Sequence, residues 1–528
     1  MRVAVVGATG NAGTAVLREL ARREEIDSVV GIARRLPDGD AEPFAGCEWR
    51  SLDIAGEDAA EGLEEAFRGA DAVIHLAWLI QPGSKRELLR QVNVTGTARV
   101  LAAAARAGVK HIAVASSVGA YSPVDDDRPR DETWPTMGVP GSHYSEDKAA
   151  QERVMDEFEA KHPGVCLARI RPGLVFQGSA GSQIQRYFAG VLAPVQLLKH
   201  VRPPVLPLPK GVRAQAVHSD DVARAYVEAI VRGAHGAYNV CADDVLDAAA
   251  IARIVGRGRL LPLPARPLVP LIKAANRAHL LPMDEGWLRM ALRVPLLDNS
   301  KAKRDLGWRP RTTAAQALEE LIEGMSTGEG TASVPMRPRR AAVAESALLP
   351  AEGHRIPDEI DGVLLRQYIA DHLSGATAGL SRISMMASVY VDTPVFAQLS
   401  AVAEDVRQEH AFLQELMKRQ GFPRPAAAPA FWAGERLARL KPYSRPMKRS
   451  PSGLVLNTEL MLAAVTAKLH GWLVLREHAT ELGVPAAAFE RLIADAERQL
   501  SQLGAVHEHA REMAFRRHRE TFRPVSDS

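Results

Sequence analysis

A run of three glycines at the start of the chain constrains its fold more than any other feature. The sequence opens MRVAVVGATGNAG, so Gly7, Gly10 and Gly13 stand three residues apart directly after a short apolar segment. Glycine permits a tight turn and a close approach of the backbone to an anion, and a helix beginning there presents free N–H groups and its positive dipole end. The pattern predicts a strand, a phosphate-binding loop and a helix, although glycines after a strand also serve simply to make a turn.

Short β-branched segments then alternate with alanine-rich segments of helical composition. The β-branched segments include RVAVVG, SVVGIA, AVIHLA, HIAVASS and VCLARIRP. Such alternation is typical of βαβ units on a parallel sheet. We therefore predict an α/β fold of the doubly wound Rossmann type over residues 1–325, with a small substrate-binding subdomain mainly at 180–215 and 240–295.

The pattern changes after residue 325. Residues 326–358 are dominated by Gly, Pro, Ser and Arg and keep no period, which predicts a flexible linker. Apolar residues then recur at three- and four-residue steps in four helical stretches, 359–390, 394–420, 453–481 and 485–518. One apolar stripe per helix and short connections predict an all-α four-helix bundle over 359–520.

Composition excludes several classes of protein. The formal net charge of +3 gives no argument for nucleic acid as a partner. Cys47, Cys166 and Cys241 are far apart and form no CxxC pair, which argues against a disulfide framework or a zinc site and fits a reducing compartment. The sequence has neither a signal-peptide pattern nor an apolar stretch of the ~18 residues that a membrane span needs. We expect a cytoplasmic protein without a transmembrane segment.

Ten short segments follow one another in an order typical of one family. They are GATGNAG, LDI, VIHLA, NVTGT, ASSVGAY, YSEDK, RPGLVF, VHSDDVARA, GAYNV and LDNSKAKRDLGWRP. Over residues 1–325 the chain resembles the extended short-chain dehydrogenase/reductase family, also called the NAD-dependent epimerase/dehydratase family. The resemblance implies an NAD(P)-dependent oxidoreductase or epimerase/dehydratase that acts on a small molecule.

The candidate catalytic residues are Ser117, Tyr144, Lys148 and Asn93. Tyr144 and Lys148 stand four apart in a segment of helical composition, so both face the same side. A nearby lysine ammonium and a positive nicotinamide favour the phenolate, and the tyrosine can then exchange the proton that accompanies hydride transfer. The resemblance further implies that Lys148 holds the nicotinamide ribose, that Ser117 bonds to the reacting oxygen and that Asn93 supports the site.

The candidate cofactor-binding residues cluster after successive predicted strands. They are Gly7, Thr9, Gly10, Asn11, Ala12, Gly13, Arg34, Arg35, Asp53, Ile54, Leu76, Ala77, Lys148, Arg171 and Pro172. Arg34 and Arg35 stand where an acidic residue would bind the 2′-OH of NAD, so they predict NADP as the preferred cofactor, with NAD also possible. As an alternative, the two arginines only cap a strand end in solvent.

The sequence gives less about the substrate. Arg171-Pro172-Gly173-Leu174 lacks the asparagine that nucleotide-sugar enzymes often carry at the fourth position, which weakens that assignment. Residues 184–211 and 261–287 are apolar and proline-rich, which suits either a lipophilic carbonyl or hydroxyl substrate or a packed lid. Trp78 is interpreted as a core residue or as a side chain that narrows the pocket.

The bundle looks like a ferritin-like domain without the metal motif. No Glu-x-x-His occurs in it, because Arg407 stands three residues before His410 and Gly504 three before His507. His410, Glu459 and His507 have an inward helical phase, yet a lone histidine on an apolar stripe is more often a hydrogen-bonded core residue. We predict a metal-free bundle used for assembly or partner binding.

Three expectations concern binding partners. The basic and aromatic segment 431–453 either contacts a partner or membrane surface or is a solvated loop. The resemblance implies a homodimer. The alternative function is an NADP-binding sensor or scaffold whose bundle recruits a partner.

Overall fold

The computed structural model describes residues 1–37, 39–56, 59–80, 86–185, 202–277, 284–333, 335–336, 349–350, 354–390, 393, 395–422 and 451–514. The chain divides into two compact units, Met1–Arg339 and Arg340–Ser528. Several predicted segments lie wholly or partly outside the described residues. They are 186–201 and 278–283 of the substrate subdomain, most of the linker beyond residue 336, 431–450 of the basic segment and 515–520 of the bundle.

The first unit alternates strands and helices along the chain. Its strands are β1 (Arg2–Val6), β2 (Ser28–Ala33), β3 (Glu48–Ser51), β4 (Ala72–His75), β5 (His111–Ala115), β6 (Cys166–Pro172), β7 (Leu174–Phe176), β8 (Leu206–Pro209), β9 (Arg213–Ala214), β10 (Ala216–His218), β11 (Gly236–Val240), β12 (Leu246–Asp247) and β13 (Leu260–Leu263). Its helices are α1 (Asn11–Leu20), α2 (Ala59–Phe67), α3 (Arg86–Arg90), α4 (Gly96–Arg106), α5 (His143–Lys161), α6 (Gly181–Ile184), α7 (Ser219–Val231), α8 (Ala248–Val255), α9 (Ala265–Arg277), α10 (Glu285–Arg293), α11 (Ser300–Asp305) and α12 (Ala314–Thr327).

Seven strands form one parallel sheet in the order β11-β6-β5-β4-β1-β2-β3. β1 pairs with β2 on one side and with β4 on the other, so the strand order reverses there. In open α/β sheets the crevice outside the carboxyl ends at such a point is where ligands bind. The predicted strand segments are β1, β2, β4, β5 and β6, and the predicted Rossmann-type fold is confirmed.

The side chains of β1 show why helices cover both faces of this sheet. Val3 and Val5 are buried in one apolar cluster with residues of α1 and α7, whereas Ala4 and Val6 are buried in another with residues of α2 and α4. Successive side chains of a strand point to opposite faces, so an apolar run without alternation needs a cover on each side.

The first unit extends beyond the predicted boundary at residue 325. Helix α12 ends at Thr327, followed by Gly328 at φ +79°. Ser333 is buried and donates a hydrogen bond of 2.9 Å to the Thr9 carbonyl, and the sulfur of buried Met336 lies 3.7 Å from the Thr14 hydroxyl. These contacts anchor Ser333 and Met336 to the glycine loop and to α1, which differs from the flexible linker expected from composition.

The second unit contains four long helices in its described residues. They are α13 (Gly362–Val389), α14 (Phe396–Arg419), α15 (Pro451–Glu477) and α16 (Ala486–Met513). α13 packs against α14 and α15, and α16 packs against the same two helices. The predicted apolar stripe of α14 is buried in the shared core, including Leu399, Val406 and Leu416. The predicted helical bundle is confirmed.

The three polar side chains considered for a metal have other partners. His410 Nε2 lies 2.9 Å from the Thr377 hydroxyl, and His507 Nε2 lies 3.2 Å from a Glu459 carboxylate oxygen. Across the described ranges, no group of three or more His, Cys, Asp or Glu side chains is placed to hold a metal ion. None of the helices in the described ranges is apolar and long enough to cross a membrane.

Candidate active site

The glycine loop after β1 is shaped by two close backbone approaches. Gly7 has φ +87°, and a Cβ atom there would lie 2.6 Å from the amide nitrogen of Ala77. A Cβ atom on Gly13 would lie 2.3 Å from the Gly7 carbonyl oxygen. Any side chain at either position would therefore force the loop away from β4 or from the start of α1.

Helix α1 begins in this loop without a side-chain cap. Gly10 occupies the capping position and has no side chain that could accept a hydrogen bond from the first turn. The first N–H groups of a helix have no partner within the helix, so they and the helix dipole favour an anion. A Cβ atom on Gly10 would meet only the Gly7 carbonyl oxygen, at 3.6 Å, which leaves the loop accessible. This cradle fits the pyrophosphate of a dinucleotide.

Not every predicted residue of the loop presents its side chain to a ligand. The Asn11 amide donates to the Val175 carbonyl at 3.1 Å and accepts from Gln177 at 2.7 Å and from the Ser219 hydroxyl at 2.9 Å. These bonds tie the loop to β7 and to the first turn of α7. Asn11 therefore holds the loop in place, and only its backbone belongs to the cradle.

The predicted adenosine-side residues lie beyond β2 and β3. One guanidinium nitrogen of Arg34 is 3.8 Å from a carboxylate oxygen of Asp53, and both side chains are partly exposed. Asp53 also accepts from the Ala55 amide at 3.0 Å, and the Ile54 side chain is buried in the core. Arg35 is half-buried. The carboxyl edge of the sheet thus carries Arg34 and an acidic neighbour side by side.

The predicted catalytic side chains meet at the carboxyl end of β5. Ser117 precedes a short 3₁₀ turn (Val118–Ala120), and its hydroxyl accepts from the Gly119 amide at 3.0 Å. The Tyr144 ring, on the first turn of α5, lies against the same turn, since a Cβ atom on Gly119 would be 2.8 Å from it. One turn later, Lys148 Nζ donates to the Ala115 carbonyl at 2.8 Å. The structure therefore brings these three residues together.

The electrostatics of this site differ from the expectation that Lys148 lowers the pKa of Tyr144. Burial raises the pKa of Tyr144, and the neighbouring Ser117 side chain offsets only part of that effect. Burial also lowers the pKa of Lys148 well below its usual value. The lysine amine is held by Ala115 and by the Gln151 side chain, 3.1 Å away, rather than by the phenol. Tyr144 is consequently protonated at neutral pH.

Two tryptophan side chains lie close to the Tyr144 ring. The ring of Trp287, on α10, lies 4.9 Å from the ring of Tyr144, and that of Trp78, just after β4, lies 5.8 Å away. Lys148 Nζ sits 3.3 Å from the centre of the Trp78 ring. The buried indole N–H of Trp78 has no partner among the described residues. Trp78 therefore lines this site, which agrees with its interpretation as a side chain that narrows the pocket rather than as a core residue.

Asn93 supports the position of Trp78 through the backbone. It is buried in a single π-helical turn (Gln91–Thr95), accepts from the Leu79 amide at 2.7 Å and donates to the Leu79 carbonyl at 3.1 Å. Leu79 follows Trp78, so the paired bonds fix the segment that places the indole. Asn93 is thus a positioning residue and makes no described contact with Tyr144 or Ser117.

The Arg171 guanidinium faces the protein interior, which corrects its assignment to the cofactor. It donates to both carboxylate oxygens of Glu152, at 2.8 and 2.9 Å, and to the Tyr121 hydroxyl at 3.0 Å. Glu152 lies on α5 and also bonds to Arg169 and Ser116, at 3.0 and 2.5 Å. A buried carboxylate needs such partners, because burying an unpaired charge is costly. Pro172 remains at the carboxyl end of β6.

Gly119 is the position where a small change reaches Tyr144 directly. A Cβ atom there would lie 2.8 Å from the Tyr144 ring and 3.2 Å from the Met290 sulfur. We expect Gly119→Ala to displace the ring and to cost about 1–3 kcal/mol in the free energy of unfolding, as overpacking does. Gly164→Ala is the matched control, because its Cβ atom would meet nothing within 4 Å. Equal unfolding midpoints for the two variants would contradict this packing.

Comparisons with known proteins relate the residues of this site to one family by similarity. Residues 3–241 match the model of the NAD dependent epimerase/dehydratase family. An uncharacterized protein of Mycobacterium tuberculosis is 28% identical over 347 residues, 64% of this chain and 32% of that protein. The L-arabinose 1-dehydrogenase (NAD(P)(+)) of Haloferax volcanii is 29% identical over 182 residues, 33% of this chain and 66% of that protein. The chain thus spans about a third of the length of the mycobacterial relative.

Among solved structures, a UDP-glucose 4-epimerase of Thermus thermophilus in complex with NAD is 23% identical, covers 62% of this chain and 99% of its own, and has a TM-score of 0.45. The family match includes the glycine loop, the end of β5 and the first turns of α5. The residues that match the NAD dependent epimerase/dehydratase family model thus lie within the first unit.

Proposed function

We propose that the first unit is an NAD(P)-dependent oxidoreductase or epimerase that transfers hydride at a carbonyl or hydroxyl carbon, with Tyr144 as acid and base. The observation that carries this proposal is the Tyr144 phenol beside the Ser117–Ala120 turn at the end of β5, where the Ser117 side chain acts to lower the pKa of the phenol. A proton donor at this edge lies next to the strand-order reversal, where dinucleotides and their substrates meet. The fit of the glycine loop to a pyrophosphate supports the same conclusion.

The residues of this chain would divide the work as follows. Bound NAD(P) supplies or accepts the hydride. The backbone of the glycine loop and the first turn of α1 bind its pyrophosphate. Ser117 and Tyr144 bind the reacting oxygen, and Tyr144, protonated at neutral pH because burial raises its pKa, donates the proton in the direction of carbonyl reduction. In the opposite direction the phenolate accepts that proton, while the Ser117 hydroxyl stabilises the negative charge.

Lys148 has a positional part in this scheme. Its amine donates to the Ala115 carbonyl at the end of β5 and so fixes the helix that carries Tyr144 against the strand that leads to Ser117. Lys148 also lies against the Trp78 ring, so this one lysine helps to position both Trp78 and the helix that carries Tyr144.

The surroundings of Tyr144 favour a substrate with an apolar face. Trp78 and Trp287 flank the Tyr144 ring, the Met290 sulfur lies 3.2 Å from the Cβ position of the neighbouring Gly119, and none of the three carries a charge. Apolar contacts orient such a substrate, while Ser117 and Tyr144 provide the polar groups that bind its oxygen.

A direct assay tests the proposed activity. The full chain is incubated with NADPH or NADH and with panels of aromatic ketones, aliphatic ketones, aldehydes and sugars, and the loss of nicotinamide absorbance is recorded. We expect turnover with at least one carbonyl class and faster turnover for ketones with an apolar face. Tight binding of the cofactor without turnover of any panel would favour the sensor alternative, and absence of cofactor binding would contradict both.

The cofactor preference can be measured separately. We propose that Arg34 and Arg35 bind the 2′-phosphate, which makes NADP the preferred cofactor. The double substitution Arg34→Ala/Arg35→Ala should weaken NADPH binding about 10- to 100-fold, since hydrogen bonds to charged groups contribute about 1.5–3 kcal/mol. NADH binding should change little. Fluorescence titration measures both constants.

The exposed Arg22 provides a matched control for this experiment, because Arg22→Ala removes one positive charge just beyond the end of α1. It should leave both binding constants unchanged. Tighter binding of NADH than of NADPH by the unmodified chain, with no effect of the double substitution, would contradict the preference.

A further inference from the structure

A short segment after α12 contacts the glycine loop, although it lies well beyond residue 241, where the family match ends. Ser333 and Met336 of this segment are both 0% exposed, and the Ser333 hydroxyl donates a hydrogen bond of 2.9 Å to the Thr9 carbonyl. The Thr331 amide donates to the Met336 carbonyl at 2.7 Å, and the Met336 amide donates to the Ser333 carbonyl at 3.2 Å. The segment is therefore a closed turn that presents one hydroxyl to the loop.

Two other carbonyl groups of the loop have partners close by in the sequence. The Gly7 carbonyl accepts from the Gly10 amide at 3.2 Å, and the Gly10 carbonyl accepts from the Thr14 amide at 2.9 Å. The Thr9 carbonyl differs from both, because its partner, the Ser333 hydroxyl, comes from a distant part of the chain. The direction in which this one carbonyl points thus depends on a contact outside the loop.

The direction of the Thr9–Gly10 peptide group decides which atoms the loop presents to an anion. The carbonyl and the N–H of a trans peptide group point in opposite directions. With the Thr9 carbonyl bonded to Ser333, the Gly10 N–H points into the loop, towards the Gly7 carbonyl. Rotating the peptide group by half a turn would break both bonds. The Thr9 carbonyl oxygen, with its partial negative charge, would then point into the loop, beside the N–H groups of the first turn of α1 that favour an anion.

Gly10 gives little resistance to such a rotation. The rotation takes the φ angle of Gly10 from its observed −85° to a positive value, which glycine adopts about as readily as a negative one. Packing does not oppose it either, because a Cβ atom on Gly10 would meet only the Gly7 carbonyl oxygen, at 3.6 Å. The hydrogen bond from Ser333 is therefore a specific restraint on a peptide group that is otherwise easily turned.

We propose that Ser333 is a positioning residue for the cofactor, because its hydroxyl holds the Thr9–Gly10 peptide group in the direction that keeps the loop open to a pyrophosphate. This role rests on the proposed binding of NAD(P) at the loop. Met336 supports it by packing, since its buried sulfur lies 3.7 Å from the Thr14 hydroxyl on α1. The part of the chain that matches the family model does not contain this restraint.

Removal of the hydroxyl in Ser333→Ala tests this role on cofactor binding. The variant should bind NADPH about threefold to tenfold more weakly than the unmodified full chain, the contribution of one hydrogen bond, as measured by fluorescence titration. Ser326→Ala is the matched control, because the Ser326 hydroxyl donates at 2.7 Å to the Glu323 carbonyl within α12. Its affinity for NADPH should be unchanged. An unchanged affinity in Ser333→Ala, or an equal loss in both variants, would overturn the proposal.

Hydrogen exchange examines the loop without any cofactor. In Ser333→Ala the Gly10 N–H should leave the Gly7 carbonyl more often, so peptides covering residues 7–16 should exchange about twofold faster or more, while peptides of β4 and β5 keep their rates. If the unmodified chain bound neither NADPH nor NADH, the proposed function would fail, but this experiment would still decide whether Ser333 holds the loop. Unchanged exchange of the loop, or an equal rise across the sheet, would mean that Ser333 contributes only to general stability.

Gly10→Ala distinguishes rotation of the peptide group from other effects of losing the hydroxyl. Alanine fits the observed φ of −85° but disfavours the positive φ of the rotated state. When Gly10→Ala is already present, Ser333→Ala should therefore change the exchange of residues 7–16 much less than it does in the unmodified chain. Only exchange is compared, because a methyl group on residue 10 also adjoins the cofactor site. An equal effect of Ser333→Ala with and without Gly10→Ala would show that the peptide group does not rotate and would overturn the proposal.

Discussion

Tyr144→Phe should lower kcat by about 100- to 10,000-fold, the contribution of a positioned general acid or base. Phenylalanine keeps the ring between Trp78 and Trp287 but removes the proton that would pass to the reacting oxygen. Binding of the nicotinamide cofactor should remain within about twofold, since the hydroxyl is needed for proton transfer and not for the pyrophosphate cradle. Initial rates on the best substrate of the carbonyl panel, together with a cofactor titration, measure both quantities.

Tyr238→Phe is the matched control for this experiment. It removes one tyrosine hydroxyl on β11, where the ring lies 4.3 Å from Lys301 Nζ, without altering the neighbours of Tyr144. Its kcat should equal that of the unmodified chain. Full turnover by Tyr144→Phe would show that Tyr144 is not the acid and base. An equal fall of kcat in both variants would mean that the two hydroxyl groups contribute to stability alone.

The pH dependence gives a second readout of the same residue. Burial raises the pKa of Tyr144, so the phenol stays protonated across the neutral range. The rate of carbonyl reduction should therefore be flat near pH 7 and fall only at alkaline pH, as the proton donor is lost. Alcohol oxidation needs the phenolate and should rise with pH over the same interval. Identical profiles in the two directions would contradict a proton carried by this group.

The sequence predicted those parts of the molecule that depend on local patterns. Apolar runs that fit both faces of a sheet predicted β1, β4 and β5, and recurring apolar residues predicted the four helices of the second unit. The spacing of Tyr144 and Lys148 depends only on helical phase, so their shared face could be predicted before any tertiary contact was known.

Features that depend on partners distant in sequence could not be predicted in this way. Arg171 was assigned to the cofactor because it stands at the end of a strand, yet its guanidinium bonds to Glu152, 19 residues earlier in the chain. The amine of Lys148 was expected beside the phenol, but the Ala115 carbonyl holds it. A residue type at a strand end indicates where a side chain starts, and the neighbours supplied by other elements decide which way it points.

The glycines of the helical unit show the same limit. Gly375 and Gly379 keep a helical pattern intact, because neither interrupts the apolar stripe of α13. Whether a glycine makes room for a neighbouring side chain, as Gly471 does for His372, or faces open space, as Gly375 and Gly379 do, is decided by the facing helix. Composition and periodicity therefore predicted the bundle but not which of its glycines admit a neighbouring side chain.

Arg171→Met should lower the free energy of unfolding of the first unit by about 3–5 kcal/mol, the usual cost of breaking a buried ion pair. Methionine roughly fills the space but leaves the Glu152 carboxylate, whose side chain is 1% exposed, with Arg169 and Ser116 alone. Hydrogen exchange of β5 and β6 peptides at increasing urea reports the unfolding of this unit without a contribution from the bundle. Arg106→Met is the matched control, because Arg106 pairs with Glu64 on the surface and such pairs contribute about 0–1 kcal/mol.

A second substitution distinguishes the loss of the Arg171–Glu152 ion pair from the cost of leaving the buried Glu152 carboxylate unpaired. In Arg171→Met/Glu152→Leu no carboxylate is left unpaired, and Arg169 keeps its 2.6 Å contact with Asp156, so the double variant should be more stable than Arg171→Met alone.

Lowering the pH should reduce the difference in the free energy of unfolding between Arg171→Met and the unmodified chain. Burial alone would raise the pKa of Glu152, but the contacts with Arg171 hold it below its usual value, so the unmodified chain loses this stabilisation as the pH falls through that lowered pKa. Without Arg171 the carboxyl takes up its proton at higher pH and the penalty for burying it disappears. The difference in the free energy of unfolding between Arg171→Met and the unmodified chain could instead stay constant from neutral to acidic pH, or the double variant could be less stable than the single one. Either result would mean that Arg171 stabilises the sheet by packing rather than by its charge.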